Sequence, residues 1–481
     1  LNLERLITDP DLFSLGWRNF IMVSAEVRIL AGSGVCGAGF RAESLEEGIG
    51  KKPHFIGCDG GSTDPGPYPL GSGETAFGRS SIKRDMRLML LAAQKEKIPL
   101  LLGTAGTSGG HPHVAAAKEI LLEIAEEEGL KFPLAVIHAE QDKNFLKKCL
   151  RQGRIKPLDP APMFDEETID KAERIVGMMG EEPFLKALDN GAEVVLTGRS
   201  SDCAIYAGIP VREGIPAGIA WHAAKILECG AASVEQRKTA DSLFATCRGD
   251  HFDVEPLDQD LRCTPQSVAS HSLYENADPF RLVESSGTMD LSTSVYEALN
   301  DRCVRVSKSG FEPAARYTVK LEGAEKVGYQ TIVIGGGRDP YILRQLDGWL
   351  ETGEANIHKR IADIYGDTIT RDDYELNIRI YGKNGVMGPL EPQKELTSHE
   401  VCLILEATAS SQEIATSIAT IARHKILHEP IPEWSGLITG LACTYSPAHI
   451  ERGAVYRFNV NHVLEPVDPY EMFPIEYMNV N

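Results

Sequence analysis

The run Pro99-Leu100-Leu101-Leu102, followed at once by Gly103-Thr104-Ala105-Gly106-Thr107-Ser108-Gly109-Gly110-His111, decides the fold class. Its apolar part does not alternate, so it reads as a strand buried on both faces. The glycines that follow form a tight turn. Val114, Ala117, Ile120, Leu121 and Ile124 then recur at three- and four-residue spacing, a helical pattern that Gly129 stops. The same unit lies on either side. Val27-Arg28-Ile29-Leu30-Ala31 leads into Gly32-Ser33-Gly34, and Phe55-Ile56-Gly57-Cys58 into Asp59-Gly60-Gly61-Ser62-Thr63-Asp64. Leu134-Ala135-Val136-Ile137 leads into His138-Ala139-Glu140, and Val194-Val195-Leu196 into Thr197-Gly198-Arg199-Ser200-Ser201-Asp202. A second helix is expected over 80–96, with Ile82, Met86, Met89, Leu90 and Ala93 on one face. Such alternation predicts an α/β fold, a parallel-rich sheet with helices on both faces. Ligands bind beyond the carboxyl ends of such strands, and all five turns lie at that edge.

Further along, the pattern changes. Residues 251–316 are polar and weakly periodic, so 250–325 reads as an insertion of short strands and loops. A strand over 330–334 meets Gly335-Gly336-Gly337-Arg338-Asp339-Pro340 and a helix from Tyr341. From about 371 the text reads as a small C-terminal α+β domain. Residues 374–381 alternate, 401–407, 437–445 and 455–464 read as strands, and 412–427 as a helix. The expected organisation is an N-terminal extension over 1–25, an α/β domain over 26–370, and an α+β domain with tail over 371–481.

Composition bounds the function. The 481 residues include 49 Lys and Arg against 69 Asp and Glu, a net charge of −20. That balance argues against a nucleic-acid backbone or an anionic membrane surface as partner. The ten cysteines form no CxxC pair and read as free thiols of a reducing cytosol. No stretch approaches a membrane span, and residues 1–22 do not have the make-up of a signal peptide. The expected location is cytoplasmic.

An ordered set of motifs carries a resemblance. Gly34-Val35-Cys36-Gly37-Ala38-Gly39-Phe40 comes first, then Thr197 to Ala204, then Leu227-Glu228-Cys229-Gly230-Ala231. Gly337-Arg338-Asp339-Pro340, His399-Glu400-Val401 and Val455-Tyr456-Arg457-Phe458-Asn459-Val460 follow. Across about 26–465 the chain resembles the acyclic terpene utilisation (AtuA) family with its C-terminal AtuA-like domain. The resemblance implies a soluble protein linked to acyl-CoA carboxylases in branched-chain and terpenoid catabolism. The tail over 466–481 extends past the usual end of that family.

Several constellations can carry chemistry. The glycine-rich turn before the helix offers N–H groups to an anion, with Gly106, Thr107 and Ser108 as substrate-binding residues; the competing reading is a turn that only needs glycine. Arg199 and Ser200 offer a bidentate donor and a hydroxyl to a carboxylate, against a structural Arg199–Asp202 pair. Asp59 and Asp202 are candidates for proton transfer, with Asp64 a weaker one, against local Asx-turn bonding. His111 is a further catalytic candidate. His111, His113, His138 and Glu140 form a candidate set for a divalent metal, against one histidine capping the helix and the other being solvated. Arg79, Lys83 or Arg84 reaches the site or lies on a solvated face. Cys36 and Cys58 read as inert thiols, and Ser108 beside His111 and His113 lacks a GxSxG elbow.

The combined reading is an enzyme acting on a small carboxylate or its CoA thioester, with proton-transfer chemistry next to a carbonyl: a hydratase or dehydratase, isomerase or lyase. A hydrolase, or a non-catalytic binding or assembly partner of an acyl-CoA pathway, are the alternatives. A homo-oligomer is expected.

Overall fold

The computed structural model describes residues 26–433 and 439–481. The extension expected at 1–25 lies outside them, as does part of the strand expected at 437–445. The described part of that stretch forms the short strand Ala442–Cys443.

The five apolar runs form the parallel centre of a ten-stranded sheet. They are β1 (Val27–Ala31), β2 (Phe55–Cys58), β3 (Leu100–Leu102), β4 (Phe132–Ile137) and β5 (Val194–Thr197). Their spatial order is β1-β2-β3-β5-β4, and every pair is parallel. The registers set Ile29 beside Phe55, Ile56 beside Leu100, and Leu100 and Leu134 on either side of Val194.

The lack of alternation in sequence has a direct cause. Successive side chains point to opposite faces, and here each face meets its own core. Ile29, Phe55, Leu101, Ala135 and Val195 enter one core, and Leu30, Ile56, Leu100, Leu134 and Val194 enter the other. Helices α1 (Arg79–Glu96) and α2 (His111–Glu128) bury Met86, Met89, Ile120 and Leu121 in the second core. Helices α3 (Ala204–Arg212) and α4 (Ala217–Leu227) bury Ile205, Tyr206, Trp221 and Leu227 in the first. The fold is α/β with helices on both faces. Helix α2 begins at His111 rather than Val114, because Pro112 suits a first turn. Gly129 ends it with φ of 65°.

The edges of the sheet come from segments that sequence patterning left unread. Leu243–Cys247 pairs antiparallel with β1, followed outward by His251–Pro256, Val304–Ser307 and Val295–Ala298. The stretch 250–325 therefore continues the main sheet in part, and its remainder forms a three-stranded sheet of Arg281–Val283, Gly287–Asp290 and Gly310–Pro313. At the other edge the tail contributes Ile475–Val480, antiparallel to β4. An exposed edge strand invites pairing with other chains; the tail covers β4 and becomes the edge strand itself.

The described residues divide into two compact units, 26–324 with 458–481, and 325–457. The boundary expected after 370 falls after 324, and the last 24 residues of the chain (458–481) belong to the first unit. The helix Leu346–Tyr365 shifts it, because Trp349, Leu350, Ile357 and Ile361 join the core of the second unit. In that unit Val401–Ala409 lies between Tyr374–Tyr381 and residues 329–337, all antiparallel, with the helix Gln412–Leu427 sharing the core.

Truncation after Pro474 removes the strand on β4 and the buried Val480. The shortened chain should lose at least about 2 kcal/mol, the burial of one large apolar side chain, and should aggregate more readily. Thermal unfolding with light scattering measures both. A truncated chain with the parent midpoint and no added scattering would show that the edge needs no cover.

Candidate functional site

Beyond the carboxyl ends of β2 and β5 lies a cavity of about 340 Å³. The loop after β2 supplies Ser62 and Asp64, and the loop after β5 supplies Arg199, Ser201 and Asp202. The C-terminal end of α4 adds Lys225 and Glu228, and Glu275 and Glu284 close the wall. Five carboxyl groups thus face two cationic side chains.

Both cations are held by the protein. The Arg199 Nε donates to Glu322 at 2.8 Å, and one terminal nitrogen donates to the Ser200 carbonyl at 2.7 Å and to Asp202 at 3.1 Å. Arg199 and Glu322 are 6% and 5% exposed. Burial works to raise the Glu322 carboxyl, but Arg199 and Lys320 outweigh it and hold the group down at about 2. Lys225 donates to Glu228 at 2.6 Å from three residues away on the helical turn. The fork of Arg199 is therefore committed mainly to Glu322, Asp202 and the backbone, and not to a bidentate grip on a ligand.

Glu284, Asp202 and Glu228 are pushed the other way. Burial is the main cause for Glu284, and the nearby Glu228, Glu181 and Asp202 add to it, so Glu284 keeps its proton up to about 8. Its Oε2 is buried with no hydrogen-bond partner. Burial also raises Asp202, against the pull of Arg199, although its side chain is 32% exposed. Glu228 is raised to about 7 by burial, opposed by Lys225. Glu284 and Glu228, protonating near neutrality, are equipped to donate and accept protons.

Of the catalytic candidates, Asp202 lines this cavity, and Asp59 and His111 are not among the lining residues. Asp59 is buried; its Oδ2 accepts from the Gly61 N–H at 3.0 Å, an Asx turn, and its Oδ1 has no partner. Burial and Asp202 hold its carboxyl well above the ordinary range. His111 is exposed, its ring 5.4 Å from that of His138 and its Nδ1 3.6 Å from Glu140.

Among the substrate-binding candidates, Arg199 lines the cavity, while Gly106, Thr107, Ser108 and Ser200 are buried outside its wall. The turn over 103–110 is packed against the β5 loop. At Gly109, with φ of +66°, a Cβ would lie 2.0 Å from the Arg199 nitrogen, so only glycine fits. Thr104 and Thr107 also have positive φ, 29° and 87°, strained for β-branched residues. Their hydroxyls explain the arrangement: Thr104 accepts from the Ser200 N–H at 3.2 Å and Thr107 from the Ala76 N–H at 2.9 Å. The anion position at the start of α2 is filled from within, because the His111 N–H donates to Glu140 at 2.7 Å.

Of the metal candidates, His111 lies beside His138 and Glu140, and His113 is set apart. His113 is buried, its Nδ1 accepting from the Gly110 N–H and its Nε2 bonded to the Glu74 carbonyl, each at 3.1 Å. Both ring nitrogens are engaged, so it is a capping residue and not a ligand beside His111, His138 and Glu140. Among the described residues the one group of three metal-type donors within mutual reach is Glu228, Cys229 and His271. Arg79 and Lys83 pair with Glu123 on α2, and Arg84 with Asp85. Cys36 and Cys58 are buried; contact with Cys36 and burial raise the Cys58 thiol well above its usual range.

Sequence reading missed Lys225 and Glu284 as site residues. Lys225 had a signal, a charged residue in the otherwise apolar helix 217–227. Glu284 had none, lying in the weakly periodic stretch. Two quoted motifs, Gly337-Arg338-Asp339 and His399-Glu400-Val401, line a separate cavity of about 820 Å³ within the second unit.

Residues 75–234 match the family described as "Acyclic terpene utilisation family protein AtuA". This segment holds β3, β4, β5, α3, α4 and the loop bearing Arg199 and Asp202, and its description is consistent with a catabolic role. No curated protein and no solved structure matches the chain. Among the described residues no helix is long and apolar enough to cross a membrane.

The carboxyl of Glu284 makes a prediction with a definite sign. It binds its proton up to about 8 in the folded chain against an ordinary value of 4.5. The folded state therefore holds more protons than the unfolded state across that window, and stability falls as pH rises through it. Glu284→Gln removes this slope. The variant should unfold a few degrees above the parent at pH 8, with the gap closing by about pH 5. Thermal unfolding at both pH values checks this, and a more stable parent at pH 8 contradicts it.

Proposed function

We propose that this chain is an enzyme of carboxylate or acyl-thioester catabolism that moves a proton next to a carbonyl. The observation that carries this reading is Glu284, 7% exposed, on the cavity wall with an unpartnered Oε2 and a proton held to about 8. Its partner in the reading is Asp202, facing the same cavity.

Charge narrows the substrate. Both cations in the cavity are already paired within the protein, which leaves neither free to hold a second anion there. The reacting part is then uncharged: a thioester carbonyl with a neighbouring hydroxyl or double bond, while any anionic carrier stays outside. In a dehydration, one carboxylate takes the α-proton and the other carboxylic acid protonates the departing hydroxyl, so water leaves and a double bond forms. A hydratase or dehydratase, isomerase or lyase shares this first step. The hydrolytic alternative loses its activated hydroxyl, since the Ser108 Oγ is buried with no partner and both nitrogens of His113 are engaged. All ten cysteines are free, which supports a cytoplasmic location, and the net charge of −20 supports small molecules over nucleic acid or membrane as partners. A homo-oligomer remains part of the proposal.

The test uses short branched 3-hydroxyacyl- and enoyl-CoA thioesters in deuterated water. The parent chain should place deuterium on the α-carbon or interconvert the two, as read by NMR. Glu284→Gln should slow this by about 10²–10⁴-fold. No exchange with any thioester, or an unchanged rate in Glu284→Gln, rejects the reading.

A further inference from the structure

We propose that Glu228, Cys229 and His271 form a site for a divalent cation of borderline softness, zinc above others, at the edge of the acidic cavity. One donor atom from each lies within 4.8 Å of the other two. Tetrahedral zinc with thiolate, imidazole and carboxylate ligands needs donors about 3.3–3.8 Å apart, from bond lengths of ~2.0–2.3 Å. Side-chain rotation covers the difference.

A second observation points to a ligand independently of the cluster. His271 is 7% exposed, and its Nε2 is buried with no hydrogen-bond partner. A buried imidazole nitrogen without a partner is costly, and metal coordination would satisfy it. His222, in the same region, makes the contrast, because both of its nitrogens meet serine hydroxyls, at 2.7 Å and 2.8 Å.

The backbone holds the donors in place. Glu228 and Cys229 follow the last turn of α4, where a Cβ on Gly34 would lie 2.6 Å from the Cys229 carbonyl. The first glycine-rich loop thus packs directly on the Cys229 backbone. His271 lies on the helix Pro265–Ser272, whose start is fixed by the Thr264 and Ser267 capping box. The Glu228 carboxylate is oriented by Lys225 at 2.6 Å and by the Cys203 thiol at 2.9 Å, as groups behind a ligand commonly do. A thiol and an imidazole select zinc over magnesium or calcium, which prefer all-oxygen shells. Cys203 lies outside the three-donor set, which leaves a fourth position for water or a substrate oxygen on the side that Glu228 shares with the cavity.

The test needs no substrate, so its outcome is separable from that of the proton-transfer reading. The full-length chain, stripped with chelator, is titrated with zinc and with cobalt. Expected are one metal per chain and a cobalt–thiolate absorption band. Cys229→Ser should abolish the band, and His271→Gln should weaken zinc binding by more than about 100-fold, beyond what loss of a merely orienting residue costs. Cys203→Ser should keep the band, and it reports on a folded chain if either other variant is damaged. No stoichiometric zinc on the parent, a band that survives in Cys229→Ser, or a band lost only in Cys203→Ser overturns the site. Zinc lost instead on His111→Ala also overturns it.

Discussion

The guanidinium of Arg199 sits almost wholly inside the first unit, 6% exposed, and much of the site follows from the need to pair it. An unpaired charge there would cost several kcal/mol, so Glu322 from a distant part of the chain comes within 2.8 Å. Asp202 and the Ser200 carbonyl take another nitrogen. The turn over 103–110 passes beside the Arg199 backbone, so Gly109 cannot carry a side chain, and the Thr104 hydroxyl accepts from the Ser200 N–H. A single buried charge thus ties together the turns after β3 and β5 and the strand that bears Glu322.

That arrangement redistributes roles. With Arg199 and Lys225 neutralised from within, the remaining carboxyl groups dominate the cavity. Crowding and burial keep protons on Glu284 near neutral pH. With both cations paired internally, the cavity suits either an uncharged polar substrate or a cation. The acid–base reading and the zinc site draw on these two consequences separately, the first through Glu284 and the second through Cys229 and His271.

The histidines show how the same residue types diverge once folded. His111, His113 and His138 look like one cluster because they follow neighbouring strands. The backbone of α2 turns His113 inward, where the Gly110 N–H and the Glu74 carbonyl claim its ring, while His111 faces outward beside Glu140. His271, with no telling neighbours in sequence, is buried with a free ring nitrogen. Spacing along the chain reports which loop a residue is on and not which way the loop turns.

The parallel centre was legible in the sequence because burial on both faces removes alternation, and the five runs needed only local pattern to be found. The edge of the sheet where the cavity lies was legible for the same reason, and so were Arg199 and Asp202 as residues of one loop. The C-terminal boundary, the tail strand on β4, the partner of Arg199, and Glu284 as a cavity group were not. Each depends on a contact between segments far apart in the chain: Glu322 is 123 residues from Arg199, and Glu476 on the tail strand pairs with Val136. Local apolar periodicity records what each element must bury, and so it fixes the elements. Which charged groups meet, and which of them keep their protons, is set by long-range packing and desolvation, and that information exists only in the folded chain.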